Sequence, residues 1–585
     1  MDTTTVSAKS LITVDIGNTI TRALFFDVVS GRYRFLASAS APTTAAAPLF
    51  DVTEGVWRAI EELQTITSRT FFSEKEGMII PSTQDNQGVD VMVATMSAGN
   101  SISVVTVGLL DNVSLLNAGH LAQTTYAEVI AKISLNDQLT ASERINLLIE
   151  KRPDIIIIAG GTDKGASKSL LSILESIGLS SFLLDDSLRP HILYTGNEEL
   201  QEEVKKGLAK ISKLHIAPNI QPVLGKENIH PAQNELNEIY KDVRKRQTGG
   251  IRDIISWTEG NFTSTASALG RVIRFLSEKY EPEKGVMGVD IGSYATVLAA
   301  ATSGEETLRV FPNLGVGAGS TGVLENCSLE EITRWLPLHI PEQDVRDYIN
   351  NKSAYPSSLP AESDQLEIEI ALAKQALRIA VKKTIPSIHK RPSAFKSLMP
   401  PIEPFIGSGR ILTNAPTRAH SLSILLDGLQ PTGVTTLALD QNGILPGLGA
   451  ASEINPLLTV QVIESDTFLN LGTIIAPIGY ARPGTPILRI RVNREDGRTF
   501  TREIKYGSLT VLPIELGEKV SLHLRPLHRF DVGMGGPGKS GKVNAVGGSL
   551  GIIVDTRGRP LPFSLDPEKN RKRNDTWIKT LLKHE

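Results

Sequence analysis

One pattern occurs twice in this chain and constrains its fold more than any other feature. ITVDIGNTITRALFF begins at Ile12 and MGVDIGSYATVLAAA begins at Met287. Each reads as a buried strand ending in Asp-Ile-Gly, a tight polar turn and a second apolar strand. Strands and amphipathic helices alternate behind both, the signature of α/β layers. A common head on two such stretches implies two related halves. Two halves that face each other leave a cleft at their junction.

Texture divides the 585 residues into three. Residues 1–245 form the first half, with strands such as VMVATMSAG and PDIIIIAGG and helices such as SERINLLIEKR. Residues 246–455 form the second, from the helical TASALGRVIRFLSEKY to AHSLSILLDGLQP. Residues 456–585 change to β-branched, turn-punctuated alternation, TPILRIRVNREDGRTFTREIKYGSLTVLPIEL, which reads as a C-terminal β-rich domain. It ends in a basic helical tail, with Trp577 and Leu581 on the packed side. With 41% apolar and 21% charged residues the chain can bury large cores. A formal net charge of −3 gives no ground for nucleic-acid or anionic-membrane binding. The single cysteine, Cys327, can form neither an internal disulfide nor a thiolate metal cage, which points to a reducing compartment. The N-terminus lacks a basic segment followed by a long apolar run, and the longest apolar runs are strand length. A cytoplasmic chain without a membrane span is expected.

The repeated turns carry the chemistry. Asp15 ends a buried strand and presents a carboxylate to the cleft, and Gly17 lets backbone come close. The N–H groups of Asn18 and Thr19 can point inward at phosphate oxygens, with the Thr19 and Thr21 hydroxyls as further donors. Asp290, Gly292 and Ser293 take the matching places in the second half. Carboxylates beside phosphates need a cation between them, and Mg2+ held by Asp15 and Asp290 is the usual one. Asp290 is also placed to orient an attacking water. The strand end FIGSGRIL adds Gly407, Ser408 and Gly409, small enough for a flat base to lie against backbone. GVGAGSTG, from Gly315, reads as a loop near the cleft.

The two Asp-Ile-Gly turns followed by FIGSG resemble, in this order, the actin/hexokinase/heat-shock-protein-70 ATPase superfamily. That resemblance implies a duplicated actin-like (ribonuclease-H-like) α/β core. A narrower resemblance rests on DIGNTITRALFFD, PDIIIIAGGTDKGASKSLL, LYTGNEELQEEVKKGL, VDIGSYATV and LLDGLQPTGVTTLALDQNGILPGLGA. These stand in the order of the glutamate mutase accessory family called MutL or GlmL (unrelated to the mismatch-repair protein of that name), over about residues 11–455. The resemblance implies ATP and Mg2+ as ligands, the two turns as phosphate loops and the FIGSG strand end at the adenosine. It implies an ATP-driven reactivation chaperone whose partner is an adenosylcobalamin-dependent mutase or aminomutase, not the mutase reaction itself. It also favours a functional role for Asp163, which stands with Lys164 in AGGTDKG. On the residues alone that turn reads equally as an anion-holding helix entry or a close-packed strand–helix connection.

The second turn departs from the family's D-x-G-G-A-T-T-D. Ser293 replaces a glycine, Tyr294 adds bulk, and Val297 stands where the closing aspartate belongs. Asn313 replaces an acidic residue before Leu-Gly. Valine cannot hold a metal or polarise water, so nucleotide binding is a firmer expectation than fast hydrolysis. Two other readings stay open: a small-molecule kinase of the same superfamily, and a non-hydrolysing scaffold that binds through its C-terminal domain.

GMGGPGKS, at 533–540, fits the phosphate-loop pattern G-x-x-x-x-G-K-[ST] letter for letter, with Lys539 and Ser540 in the key places. A working loop of that kind needs a helix starting at its Lys-Ser. Glycines at 541, 547, 548 and 551 deny it. The expectation is a basic Gly-rich loop between strands, with Lys539 and Lys542 open to an acidic patch or to water.

Overall fold

The structure is a computed structural model. It describes residues 10–73, 77–85, 87–163, 165, 168–279, 283–388, 397–465 and 467–585.

The first half starts with an antiparallel meander of β1 (Leu11–Ile16), β2 (Ile20–Val29) and β3 (Arg32–Pro42). A small hairpin follows, β4 (Phe72–Ser73) with β5 (Gly77–Met78). β6 (Val91–Met96) then pairs with β1 in parallel. Here the chain leaves to build a separate sheet of β7 (Ile102–Val107), β8 (Ala127–Ile133), β9 (Ile155–Ile158), β10 (His191–Tyr194) and β11 (Lys213–Ile216). All its pairings are parallel, in the order β11-β10-β9-β7-β8. β9 is four isoleucines, all buried, as a strand covered on both faces requires. The chain returns with β12 (Phe262–Ser264), which pairs with β6 and completes the first sheet as β12-β6-β1-β2-β3.

The second half repeats that plan. β13 (Val286–Ile291), β14 (Ala295–Thr302) and β15 (Glu305–Pro312) form the meander. β16 (Phe405–Ser408) and β17 (Gly433–Leu439) add in parallel, giving β15-β14-β13-β16-β17. Strand for strand, both sheets carry the same order, three meander strands and then two parallel ones beside the first. This is a duplicated actin-like core.

Seven strands follow: β18 (Leu469–Ala476), β19 (Pro486–Arg494), β20 (Thr499–Lys505), β21 (Leu509–Leu512), β22 (Lys519–Pro526), β23 (Gly541–Val546) and β24 (Ile552–Asp555). β18, β24 and β21 extend the second half's sheet to eight strands, and β20-β19-β22-β23 form a four-stranded antiparallel sheet packed against that extension. Residues 1–245, read above as one half, therefore hold two large sheets besides the β4–β5 hairpin. β12, beyond 245, belongs to the first half, and the strands after 455 continue the second.

One apolar cluster runs through both halves. It joins Val14 and Ile16 of β1, Ala295 and Val297 of β14, and Leu445 and Leu448 of the helix Leu445–Ala451. Among the described residues no helix is long and apolar enough to cross a membrane.

The C-terminal strands are tied to the second half by charge as well as by sheet pairing. Asp555, buried at the end of β24, lies 2.8 Å from Arg557 and 2.7 Å from Arg559. Arg557 also reaches Asp427 at 2.8 Å, and Asp427 takes Lys374 at 2.9 Å. Burial alone would raise the Asp555 carboxyl, but Arg557 and Arg559 outweigh it and hold the group well below the usual carboxylate range. The Arg557 guanidinium also lies over the Trp577 ring at 4.7 Å, which fixes the terminal helix Pro567–Leu582. Asp555→Ala would leave two buried guanidinium groups short of a counter-charge. It is expected to cost about 3–5 kcal/mol, read as a lower midpoint in urea unfolding.

Candidate functional site

The two repeated hairpins face each other. Gly17 N–H donates to the Ile20 carbonyl at 2.9 Å, and Gly292 N–H donates to the Ala295 carbonyl at 2.9 Å, so both halves make the same turn. Between them is a cleft of about 800 Å³. Asp15, Gly17, Asn18, Thr19 and Arg22 line it from the first half, and Asp290, Gly292, Ser293 and Tyr294 from the second. Ser408, Gly409 and Arg410 close one end, and Gly443 and Pro446 another.

The cleft gathers acidic groups. Asp15 Oδ1 accepts from Thr95 Oγ1 at 2.7 Å and from Thr265 Oγ1 at 2.8 Å. Loss of water around Asp15 still raises its pKa, against those two donors and Arg22. Asp290 is pushed up to about 7, first by desolvation, then by the charge of Asp15, with Arg22 opposing and Asp440 adding to the rise. Asp440 is fully buried and accepts the N–H groups of Ile444 and Leu445 at 2.9 Å each.

Two glycines make the approach possible. A Cβ on Gly443 would lie 1.6 Å from Arg22 Nη1, so its absence lets a first-half guanidinium reach second-half backbone. Gly409 has φ +101°, and a Cβ there would lie 2.4 Å from the Ile291 carbonyl oxygen and 2.8 Å from Asp290 Oδ1. The second turn is gripped from outside by the GVGAGSTG loop. Ser293 O accepts from Gly317 and Gly319 N–H at 2.8 and 3.0 Å, and Ser293 Oγ accepts from Ala318 N–H at 3.1 Å. The Tyr294 hydroxyl is hydrogen-bonded to the Ser101 hydroxyl.

Most of the residues expected at the site are brought together on this wall: Asp15, Gly17, Asn18, Thr19, Asp290, Gly292, Ser293, Ser408 and Gly409. Asn18 also fixes the turn, its Oδ1 accepting from Gly99 N–H at 3.0 Å. Three expected residues lie elsewhere. Thr21 is fully buried and shares a hydrogen bond with the Thr43 hydroxyl at 2.9 Å. Gly407 is a packing position, where a Cβ would come 2.8 Å from Leu425 Cδ1. Asp163 stands at the end of the inserted parallel sheet and accepts from Asn219 Nδ2 at 2.9 Å, and Lys164 is outside the described residues. Val297, in place of an acidic residue, is 1% exposed within the core shared by the halves.

Arg22, Arg410, Tyr126 and Asp440 were not singled out from the sequence. Arg22 stands directly opposite Asp15 in the β1–β2 ladder and so shares its face; the register of the hairpin, rather than alternation along one strand, finds it. Asp440 follows an apolar strand as Asp15 and Asp290 end theirs. Tyr126 is buried on the cleft wall with its hydroxyl beside Ser97.

Among the described residues no group of three or more His, Cys, Asp or Glu is arranged to hold a metal ion. Asp15 and Asp290 are too few to cage one. They do suit Mg2+, which keeps waters and completes its shell with phosphate oxygens. A second recess of about 740 Å³ shares Thr19, Gly292, Ser293 and Arg410 with the cleft, and its walls are more apolar, including Leu359, Pro360, Ile411 and Pro416. The Gly-Lys-Ser loop is far from this design: Lys539 and Ser540 are exposed and β23, not a helix, follows.

A family model described as MutL protein matches residues 11–467. No curated protein matches the sequence. Among solved structures the chain is similar to a nucleotide-free acetone carboxylase, 12% identical, covering 86% of this chain and 81% of that one with a TM-score of 0.30. A glycerol dehydratase reactivase is 10% identical, covering 72% and 95%, with a TM-score of 0.28. A nucleotide-free diol dehydratase-reactivating factor is 9% identical, covering 78% and 99%, with a TM-score of 0.29.

The raised Asp290 carboxyl has a stability signature. Its folded value of about 7 exceeds its ordinary 3.8, so the stability it contributes is full below the lower value and is lost as pH rises through the upper one. Asp290→Asn removes that loss. Without nucleotide or metal, this variant should melt level with wild type near pH ~4 and progressively above it up to about pH 7. The final gap is expected to be on the order of 4 kcal/mol in scanning calorimetry.

Proposed function

The chain belongs to the MutL protein family, and from that membership we propose that it is an ATP-binding accessory protein acting on an adenosylcobalamin-dependent mutase, of the glutamate mutase or aminomutase type. The observation that carries the nucleotide part is the pair of identical turns meeting over recessed Asp15 and Asp290. The backbone N–H groups of the two turns and the Thr19 hydroxyl hold the phosphates. Arg22 and Arg410 add charge on either side. The base lies beyond Gly409, in the more apolar recess that continues from the cleft. Mg2+, when bound, neutralises the phosphate oxygens that Asp15 and Asp290 face.

Asp290, with a carboxyl near neutrality, is suited to hold an attacking water and accept its proton. Buried Val297 offers no second acid beside it. Turnover is therefore slow, and the work on the partner comes from binding: ATP favours one closure of the halves, and closure changes the surface presented to the mutase. A kinase reading would need another acidic group at a substrate hydroxyl; among the described residues the cleft wall carries Asp15 and Asp290, and Glu369 of the adjoining recess is paired with Lys352.

Calorimetric titration with Mg-ATP tests the nucleotide site. Binding is expected for wild type and for Lys539→Ala and to be lost in Asp15→Ala. The reverse pattern would move the site to the C-terminal sheet and sink this account. Phosphate release measured with and without an added adenosylcobalamin-dependent glutamate mutase tests the partner. Stimulation is expected from the mutase, whereas stimulation by a sugar or carboxylic-acid co-substrate alone would favour the kinase.

A further inference from the structure

The four-stranded sheet β20-β19-β22-β23 has two unlike faces. Its inner face carries Leu488, Ile490, Val492, Leu522 and Leu524, all buried in the C-terminal core. Its outer face is set by register. Arg489 stands between Glu503 and Arg525, and Arg491 between Thr501 and His523, with Lys542 next to His523 on β23. Arg489, Arg491, Arg525 and Lys542 are exposed. Two rows of positive side chains thus cross the sheet, relieved by one acid, Glu503, 3.1 Å from Arg489. Arg491, Arg525 and Lys542 have no ion-pair partner among the described residues. The loop before β23 adds exposed Lys539. It is anchored beside the sheet by Gly538 N–H to the Phe530 carbonyl at 2.8 Å.

Such a face opposes stability. Like charges directly across a ladder repel, and a sheet face that only meets water normally alternates sign or is neutral. Protection of sheet edges accounts for lysines on edge strands, which here covers Lys542 on β23. It does not account for Arg489, Arg491 and Arg525, which are on the two central strands. The charge is local, since the whole chain is at −3.

We propose that this outer face is a docking surface for an acidic surface on a folded partner protein. Nucleic acid fits it less well, because the outward positions named here carry no Phe, Tyr or Trp on which successive bases could stack, only the single imidazole of His523. The charged rows are short and lie on a sheet rather than along a groove. Arginine on a rigid strand offers planar, bidentate contact to carboxylates at low ordering cost. That the partner is the mutase rests on the function proposed above. The acidic-surface docking can fail or hold without it.

The test uses the full chain and labelled poly-glutamate as probe, with a duplex DNA of matched charge beside it, by fluorescence anisotropy. Poly-glutamate should bind at about 50 mM salt and weaken steeply by about 300 mM. The triple variant Arg491→Glu, Arg525→Glu, Lys542→Glu should bind it at least roughly tenfold more weakly and still titrate Mg-ATP as wild type does. Asp15→Ala should bind poly-glutamate normally, which separates failure here from failure of the nucleotide site. A milder variant, Arg491→Thr with Lys542→Thr, should lose part of the binding and melt at or above the wild-type temperature, because repulsion is relieved. A lower melting temperature for the mild variant would make the charges structural and overturn the proposal. So would unchanged poly-glutamate binding by the triple variant, or tighter binding of DNA than of poly-glutamate.

Discussion

Carboxylates of like sign are held together at the junction of two halves, and much of the fold exists to keep them there. Asp15 is steadied by hydroxyls from β6 and from the first residue of the helix Thr265–Lys279. Asp440 is steadied by backbone N–H groups of its own turn. Asp290 is lifted to about 7 by desolvation and by the charge of Asp15, with Arg22 opposing. Arg22 is the counter-charge, and it reaches the second half only because residue 443 has no side chain. Every part of this arrangement draws on a different element. A divalent cation between these carboxylates, as proposed for Mg2+, would relieve their repulsion.

The same junction limits how the halves can move. Their apolar contacts form one continuous cluster rather than two cores separated by a wet seam. Separation would expose Val14, Ile16 and Leu448, which are all at or below 1% exposure, so wide opening is costly. Small rotation is cheaper. The Tyr294–Ser101 hydroxyl contact lies at the second turn, where such a rotation would be felt first. Tyr294, which looked from the sequence like an obstruction on the phosphate side, has its hydroxyl turned to Ser101. The loop behind it holds Ser293 through three backbone N–H groups. The second turn is rigid through its neighbours rather than through its own glycine content.

What could be read from the sequence was what local chemistry determines. Asp-Ile-Gly, occurring twice, located both turns and seven of the wall residues, and FIGSG located Ser408 and Gly409. The inserted parallel sheet could not be separated from its host, because both are strands alternating with helices and periodicity does not say which sheet a strand joins. β12, three residues long, carries too little pattern to betray that the chain has returned. Thr21 and Gly407 were placed by proximity to a motif when alternation decides the matter. Arg22 shares a face with Asp15, so Thr21 must point the other way, and Ser408 on the wall leaves Gly407 packed behind it. Lys539 illustrates the opposite error, a motif complete in letters whose surroundings are all β.

The C-terminal sheet matters to the cleft through its attachment. β18 pairs with β17, whose strand leads directly into Asp440, and β24 ends at Asp555 in the ionic cluster that grips Asp427 and Lys374. These contacts, covalent, hydrogen-bonded and electrostatic, are to the second half. A protein bound to the outer face of β19 and β22 would thus be carried by the half that bears Asp290. Any differential affinity of ATP for two relative positions of the halves would then be felt by such a partner. Linkage makes the effect mutual: if nucleotide changes the affinity for the partner by some factor, the partner changes the affinity for nucleotide by the same factor. With the slow turnover proposed above, the partner itself would set when the nucleotide is held and when it is released.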